Sequence, residues 1–203
     1  MTLEELREGI YQGDCLVVDV RPDGEFCDGH IPGSSLATYH QAQEEVWVAT
    51  VASWQSRHGR PLVLVGADQE TTGRLRQKLE EKSIVVWPSP DQPLSAWAAH
   101  GYYLAHIARL GAAELALRLD EWRVIDVREP HEWASGVIKD AILIALGTVP
   151  ERADELDSEL KYAVICAHGH RSRLAANWLA DHGFDVANVV DGMANWTGPV
   201  IYP

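Results

Sequence analysis

The chain repeats itself, and the repeat constrains its fold more than any other feature. Leu16-Val17-Val18-Asp19-Val20-Arg21 matches Arg123-Val124-Ile125-Asp126-Val127-Arg128 at an offset of 107, and the match runs on. Asp19 falls on Asp126, Arg21 on Arg128, Glu25 on Glu132, Phe26 on Trp133 and Gly29 on Gly136. Further along, Pro61 to Val65 and the segment Arg74 to Leu79 match Tyr162 to Ile165 and Leu174 to Leu179 at an offset of 100. Trp97 and Trp196 close the two copies. A period near 100 residues implies duplicated domains, not a solenoid. The expected boundaries are residues 1–104 and 105–203, and the 203-residue length fits two small domains.

Each copy alternates strand and helix. Leu16–Val20, Leu62–Val65 and Ile84–Val86 are short, β-branched and apolar, as strands buried on both faces are. Val124–Val127, Ala163–Ile165 and Val186–Val190 play those parts in the second copy. Short helices are expected over Leu3–Ile10 and Glu114–Leu119. Helical crossovers are expected over Arg74–Leu79 and Arg173–Asp181, the latter closed by Gly183. The fold class that follows is α/β, with two domains, each a small parallel sheet covered by helices on both faces. Pro88 to Pro93 reads as an irregular tail of the first copy, and residues 98–111 as a linker.

Charge excludes some functions. The first 104 residues carry 15 acidic and 8 basic side chains, a net −7; the rest carry 15 and 9, a net −6. Neither half offers a basic face, so nucleic acid and anionic membranes are not expected partners. No apolar run is long enough for a bilayer, and the first residues lack the features of a secretory signal, so the expected location is the cytoplasm. The eight tryptophans, Trp47, Trp54, Trp122 and Trp178 among them, are scattered at core-compatible positions, which favours packing over a binding surface.

Three cysteines, Cys15, Cys27 and Cys166, match no structural zinc spacing. Cys15 and Cys27 read as small buried hydrophobes. Cys166 is different. It lies between a buried strand and a helix, where open parallel sheets bind ligands. The loop Cys166-Ala167-His168-Gly169-His170-Arg171-Ser172 can turn its backbone N–H groups inward as a nest, and the helix adds its positive end. Both favour thiolate over thiol. Arg171 can reach back over the nest to hold an oxyanion, and Ser172 can cap the helix or donate to the sulfur. A metal site of Cys166, His168 and His170 would need an extended loop, and a fourth ligand is not evident. No metal or organic cofactor is expected.

This loop resembles the active loop of the rhodanese family of sulfurtransferases, Cys-x-x-Gly-x-Arg followed by Ser or Thr. The Asp-Val-Arg of each first strand, Gly29-His30-Ile31-Pro32-Gly33-Ser34 and Asp191-Gly192-Met193-Ala194-Asn195-Trp196 resemble further markers of that family, so the resemblance covers nearly the whole chain. It implies a tandem sulfurtransferase, of the thiosulfate or 3-mercaptopyruvate type, with an inactive first copy and a Cys166 persulfide in the second. Cys166 and Arg171 would be catalytic, and Ala167, His168, Gly169, His170 and Ser172 would bind substrate. The expected partners are a small anionic sulfur donor and a thiol or cyanide acceptor, a protein thiol included. A persulfide carrier or redox sensor is the alternative. A cysteine phosphatase or arsenate reductase is less favoured, because rhodanese-like phosphatases carry one more residue between Cys and Arg than Ala167 to His170 supply.

The copies depart from the pattern in opposite places. Val137-Ile138-Lys139-Asp140-Ala141 replaces the His-Ile-Pro-Gly-Ala corner in the second, with the loss of a rigid turn expected. In the first, Gly66 and Thr71 replace the cysteine and arginine, while Asp68 and Glu70 add negative charge. That copy is expected to be a scaffold. Arg21 and Arg128 are expected to pair with nearby carboxylates such as Glu25 and Glu132, and Asp19 and Asp126 to accept loop N–H bonds.

Overall fold

A computed structural model describes all residues, 1–203. The chain forms two compact units, Met1–Leu104 and Ala105–Pro203. In the first, the order is α1 (Leu3–Gln12), β1 (Leu16–Asp19), α2 (Asp23–Asp28), β2 (Ser34–Leu36), α3 (Glu44–His58), β3 (Leu62–Val65), α4 (Gln69–Glu81), β4 (Val86–Trp87) and α5 (Pro93–Ala99). Its four strands are all parallel, in the order β2-β1-β3-β4. The second contains β5 (Ala108–Leu110), α6 (Ala112–Leu117), β6 (Arg123–Asp126), α7 (Pro130–Trp133), β7 (Ile142–Leu143), α8 (Val149–Arg152), β8 (Lys161–Ile165), α9 (His170–Asp181) and β9 (Asp185–Val189). Its five parallel strands run β5-β9-β8-β6-β7. No helix is long and apolar enough to cross a membrane.

The central strands explain themselves. All four residues of β3 are buried, as are Tyr162 to Ile165 of β8, because helices cover both faces of each sheet. In the first unit, Val18, Leu62 and Leu64 pack with Trp47, Val48 and Val51 of α3 and with Leu75 and Leu79 of α4. On the other face, Val17, Val63 and Val65 meet Leu3 and Leu6 of α1 and Trp97 of α5. Thr2 caps α1 by a capping box with Glu5, and Gly13 ends it in the left-handed conformation.

Several expected elements are moved. Residues 98–111 are not only a linker: Ala108–Leu110 forms the edge strand β5, paired with Ala187 to Val189. The strand expected over Ile84–Val86 lies at Val86–Trp87, because Ile84 N–H still closes on Leu79 O at the end of α4. The irregular stretch after it gives way to α5 at Pro93, a residue suited to the first helical turn. The expected helix at Glu114–Leu119 begins earlier, at Ala112. Trp47 is packed in a core with its indole N–H on Ala37 O, and Trp178 stacks on His182.

The corner lost from the second sequence copy is kept in its backbone. Ser34 N–H bonds Ile31 O at 3.0 Å, and Ala141 N–H bonds Ile138 O at 3.1 Å, the same turn at an offset of 107. Asp140 takes the left-handed conformation (φ 60°) that Gly33 takes in the first unit (φ 81°). An L side chain is disfavoured there, although aspartate tolerates it better than most. Asp140→Gly is therefore expected to stabilise the second unit, by about 0.5–1 kcal/mol. Urea unfolding of the two proteins measures it.

Candidate active site

The site is built where β8 ends and α9 begins. Cys166 follows the last residue of β8, and the chain turns at Gly169 (φ 86°) into α9. Cys166 is buried at 1% exposure, whereas His168 and His170 are exposed. The two histidines therefore do not join the sulfur in a ligand cluster, and no group of three His, Cys, Asp or Glu is placed to hold a metal ion. The loop is set from behind by the segment after β9. Met193 N–H bonds Cys166 O at 2.8 Å and Ala194 N–H bonds Ala167 O at 3.0 Å. Gly192 lies against those same carbonyls, where a Cβ would come within 2.5 Å of both oxygens. Asp191 accepts from Ala112 N–H at 2.7 Å, tying this segment to the start of α6.

Two effects compete on the thiol. Burial raises its pKa. Hydrogen bonding to the Ser172 hydroxyl and to the backbone N–H groups of Ser172, His168 and Gly169 lowers it, and this second set wins. The net shift is downward, so the site favours thiolate. Cys166 Sγ lies 3.4 Å from Ser172 Oγ, and Ser172 Oγ lies 2.7 Å from Asn188 Oδ1 on β9. All three residues are buried. Sequence reasoning passes over Asn188, and the signal that could have found it is its polarity inside the otherwise apolar strand Val186–Val190.

Arg171 corrects one expectation. Its guanidinium grips Glu132 of α7 with two bonds, Nη1 to Oε2 at 2.5 Å and Nη2 to Oε1 at 2.8 Å. Arg128, expected on Glu132, instead forks onto Asp126 through Nε and Nη2, the latter at 2.7 Å. It touches only the backbone oxygen of Glu132, and its Nη2 also bonds Gly136 O. The reason is distance along the chain. A buried carboxylate two residues back already accepts the Arg128 N–H, and the side chain folds over onto it. The first unit repeats the arrangement, with Arg21 on Asp19 and on Gly29 O. Both aspartates thus accept loop N–H bonds as expected. The buried Asp126–Arg128 pair fixes the β6 end to Gly136, and so sets α7, which presents Glu132 to Arg171.

The Arg171 fork holds the Glu132 carboxyl well below the usual range, at about 2. A carboxyl depressed in the folded state adds stability above its unfolded pKa and loses it as pH falls through the folded value. Acid unfolding of the native protein is expected to show a contribution lost below the ordinary carboxylate range, down to about pH 2. Glu132→Gln should remove it, at a cost of about 1 kcal/mol at neutral pH, as measured by chemical denaturation across that range.

The first unit's corresponding loop is chemically different. Gly66 stands where Cys166 stands, at φ 90°, and a Cβ there would meet Arg21 Cγ at 2.6 Å and Asp19 Oδ1 at 2.7 Å. Asp68 caps α4, accepting Thr71 N–H at 2.7 Å and the Thr71 hydroxyl at 3.1 Å. Its own carboxylate answers the N–H groups at that helix start.

Comparison with known proteins agrees with this duplication. The model of the rhodanese-like domain matches residues 2–101 and again 111–199. YtwF of Bacillus subtilis is 40% identical over 79 residues, covering 39% of this chain and 77% of that protein. The thiosulfate sulfurtransferase GlpE of Pseudomonas entomophila is 33% identical over 78 residues, covering 38% of this chain and 72% of GlpE. Among solved structures, a rhodanese-related protein of Thermoplasma volcanium is 36% identical with a TM-score of 0.45, covering 46% of this chain and 97% of that one. With a family match in each unit, the chain belongs to the rhodanese family and carries its domain in tandem.

Proposed function

We propose that the protein is a sulfurtransferase that moves a sulfane sulfur from thiosulfate or a similar donor to a thiophilic acceptor through a persulfide on Cys166. The observation that carries the reading is the convergence of three backbone N–H groups and one hydroxyl on a single buried sulfur at a strand-to-helix turn. The names of relatives such as GlpE supply the donor class.

The Cys166 thiolate attacks the outer sulfur of thiosulfate. A bond forms between Sγ and that sulfur, the sulfur–sulfur bond of the donor breaks, and its electron pair leaves with sulfite. The His168, Gly169 and Ser172 amides, preorganised by the Gly192 buttress, hold the negative charge as it moves from Sγ to the outer sulfur. Arg171 keeps N–H groups beyond the two spent on Glu132, and these receive the donor's oxyanion. Its partner Glu132 cancels much of the local positive charge, so Arg171 acts by geometry more than by net field. Cyanide or a thiol, a protein thiol included, then takes the outer sulfur and the thiolate returns. No metal or organic cofactor is required by this scheme. His168 and His170, exposed at the loop, contact the donor at the mouth.

In this reading residues 105–203 form the catalytic domain, residues 1–104 a non-catalytic one, and the cytoplasm is the expected setting. The test supplies thiosulfate with cyanide, and separately an aryl phosphate. Thiocyanate without phosphate release is expected. Phosphate release without thiocyanate would overturn the assignment in favour of a cysteine phosphatase.

A further inference from the structure

The Ser172 hydroxyl stands between two groups that make opposite demands on its single proton. Toward Asn188 the partner is the amide oxygen, at 2.7 Å, so the hydroxyl donates there. With that proton spent, Ser172 Oγ can only accept from the sulfur at 3.4 Å, which suits a thiol and not a thiolate. Ionising Cys166 reverses the demand: the hydroxyl must now donate to sulfur. If the amide oxygen stayed in place, two oxygens would face each other without a proton at 2.7 Å. A half-turn of the Asn188 amide removes the conflict, because it presents Nδ2–H to Ser172 Oγ and leaves the hydroxyl free for the sulfur.

We infer that Asn188 is a positioning residue that acts through Ser172, its amide turning so that the serine hydroxyl accepts from the thiol and donates to the thiolate and the persulfide. Asn188 meets the hydroxyl, and the hydroxyl meets the sulfur. No proton passes through the amide, and the proton lost by Cys166 goes to water. The site suits this device because Ser172 is wholly buried and Asn188 only 5% exposed, so bulk water does not substitute for either partner. The charged groups around the sulfur are few. Arg171 acts on it from α9, itself neutralised by Glu132 and Glu129 of the α7 end, and the exposed His168 and His170 flank it on the loop. None of them can reverse a hydrogen bond, whereas a primary amide can.

The inference rests on Cys166 being the reactive thiol, and the test separates the two. The rate of Cys166 alkylation by iodoacetamide is followed against pH, by mass spectrometry of the Cys166 peptide, in the full chain. Asn188→Asp replaces the amide with a group that only accepts and so holds the hydroxyl away from sulfur. It should raise the midpoint of the alkylation–pH curve by roughly one pH unit. In a Ser172→Ala background the same change should have less than half that effect, since only the added charge then acts. Asn188→Leu, similar in shape and uncharged, gives a second cycle should the aspartate variant not fold: a shifted midpoint in the native background, an unmoved one in the Ser172→Ala background. Equal shifts in both backgrounds, or none, would overturn the role of Asn188. A native midpoint equal to that of free cysteine would instead overturn the reading of Cys166 itself.

Discussion

Cys166→Ser is expected to abolish sulfur transfer from thiosulfate to cyanide, with a fall of at least about a thousandfold to the uncatalysed background. A serine hydroxyl is far less acidic than a thiol, so the same amides cannot hold it as an anion at neutral pH. Nor can oxygen form and release the sulfur–sulfur bond on which the cycle depends. The fold should be intact, since Ser fills nearly the same volume and Ser172 can still hydrogen-bond it. Circular dichroism and the thiocyanate assay, run together, separate loss of chemistry from loss of structure. Cys15 and Cys27 remain in this variant as internal controls. Both are buried, and burial pushes the Cys15 thiol up, opposite to the shift at Cys166.

The second large effect concerns the shape of the cradle. Gly169 turns at φ 86° directly beneath the Val190 carbonyl, and an added Cβ would collide with that backbone oxygen. A flexible side chain could move aside; a carbonyl in the segment leaving β9 cannot do so without dragging the strand. Gly169→Ala combines this clash with a left-handed backbone that alanine disfavours, and should cost the second unit about 3 kcal/mol or more. Whatever folded protein remains should transfer sulfur poorly, because the His168 and Gly169 amides would no longer converge on sulfur. Urea unfolding gives the first quantity and the assay the second. Gly192→Ala presses on the same loop from the opposite side, at the Cys166 and Ala167 carbonyls, and should behave alike.

The duplication and the Cys166 loop are legible in the sequence because both are local patterns. Asp-Val-Arg recurs at a fixed offset, and a cysteine, a glycine and an arginine within six residues need no knowledge of the rest of the fold. The edge strands β2, β5 and β7 are not legible: they are two or three residues long, too short to show a period. Helix α3 is hidden for a related reason. Its apolar residues are spread around much of its circumference, Val46 exposed and Val48 and Val51 buried, so no single stripe announces it.

At the site, what escapes the sequence is pairing across distance. Whether Arg171 or Arg128 takes Glu132 depends on where Gly136 anchors α7, which the Asp126–Arg128 fork decides. Asp140 in the place of Gly33 suggests a lost corner, yet the turn persists because aspartate can occupy that backbone. Ser172 is a candidate for two roles, and Asn188, 16 residues on, settles its surroundings. The Met193 and Ala194 amides that hold the loop from behind come from a segment that the sequence marks only as a closing motif.

One measurement reaches the centre of the account. The intact protein is treated with thiosulfate, digested without reductant and weighed peptide by peptide. The fragment bearing Cys166 should gain the mass of one sulfur atom, lose it again when cyanide is added, and do so while the Cys15 and Cys27 fragments stay unchanged. A Cys166 fragment that gains nothing, or a gain shared equally by the three cysteines, would contradict the claim that this loop makes one thiol a sulfur carrier.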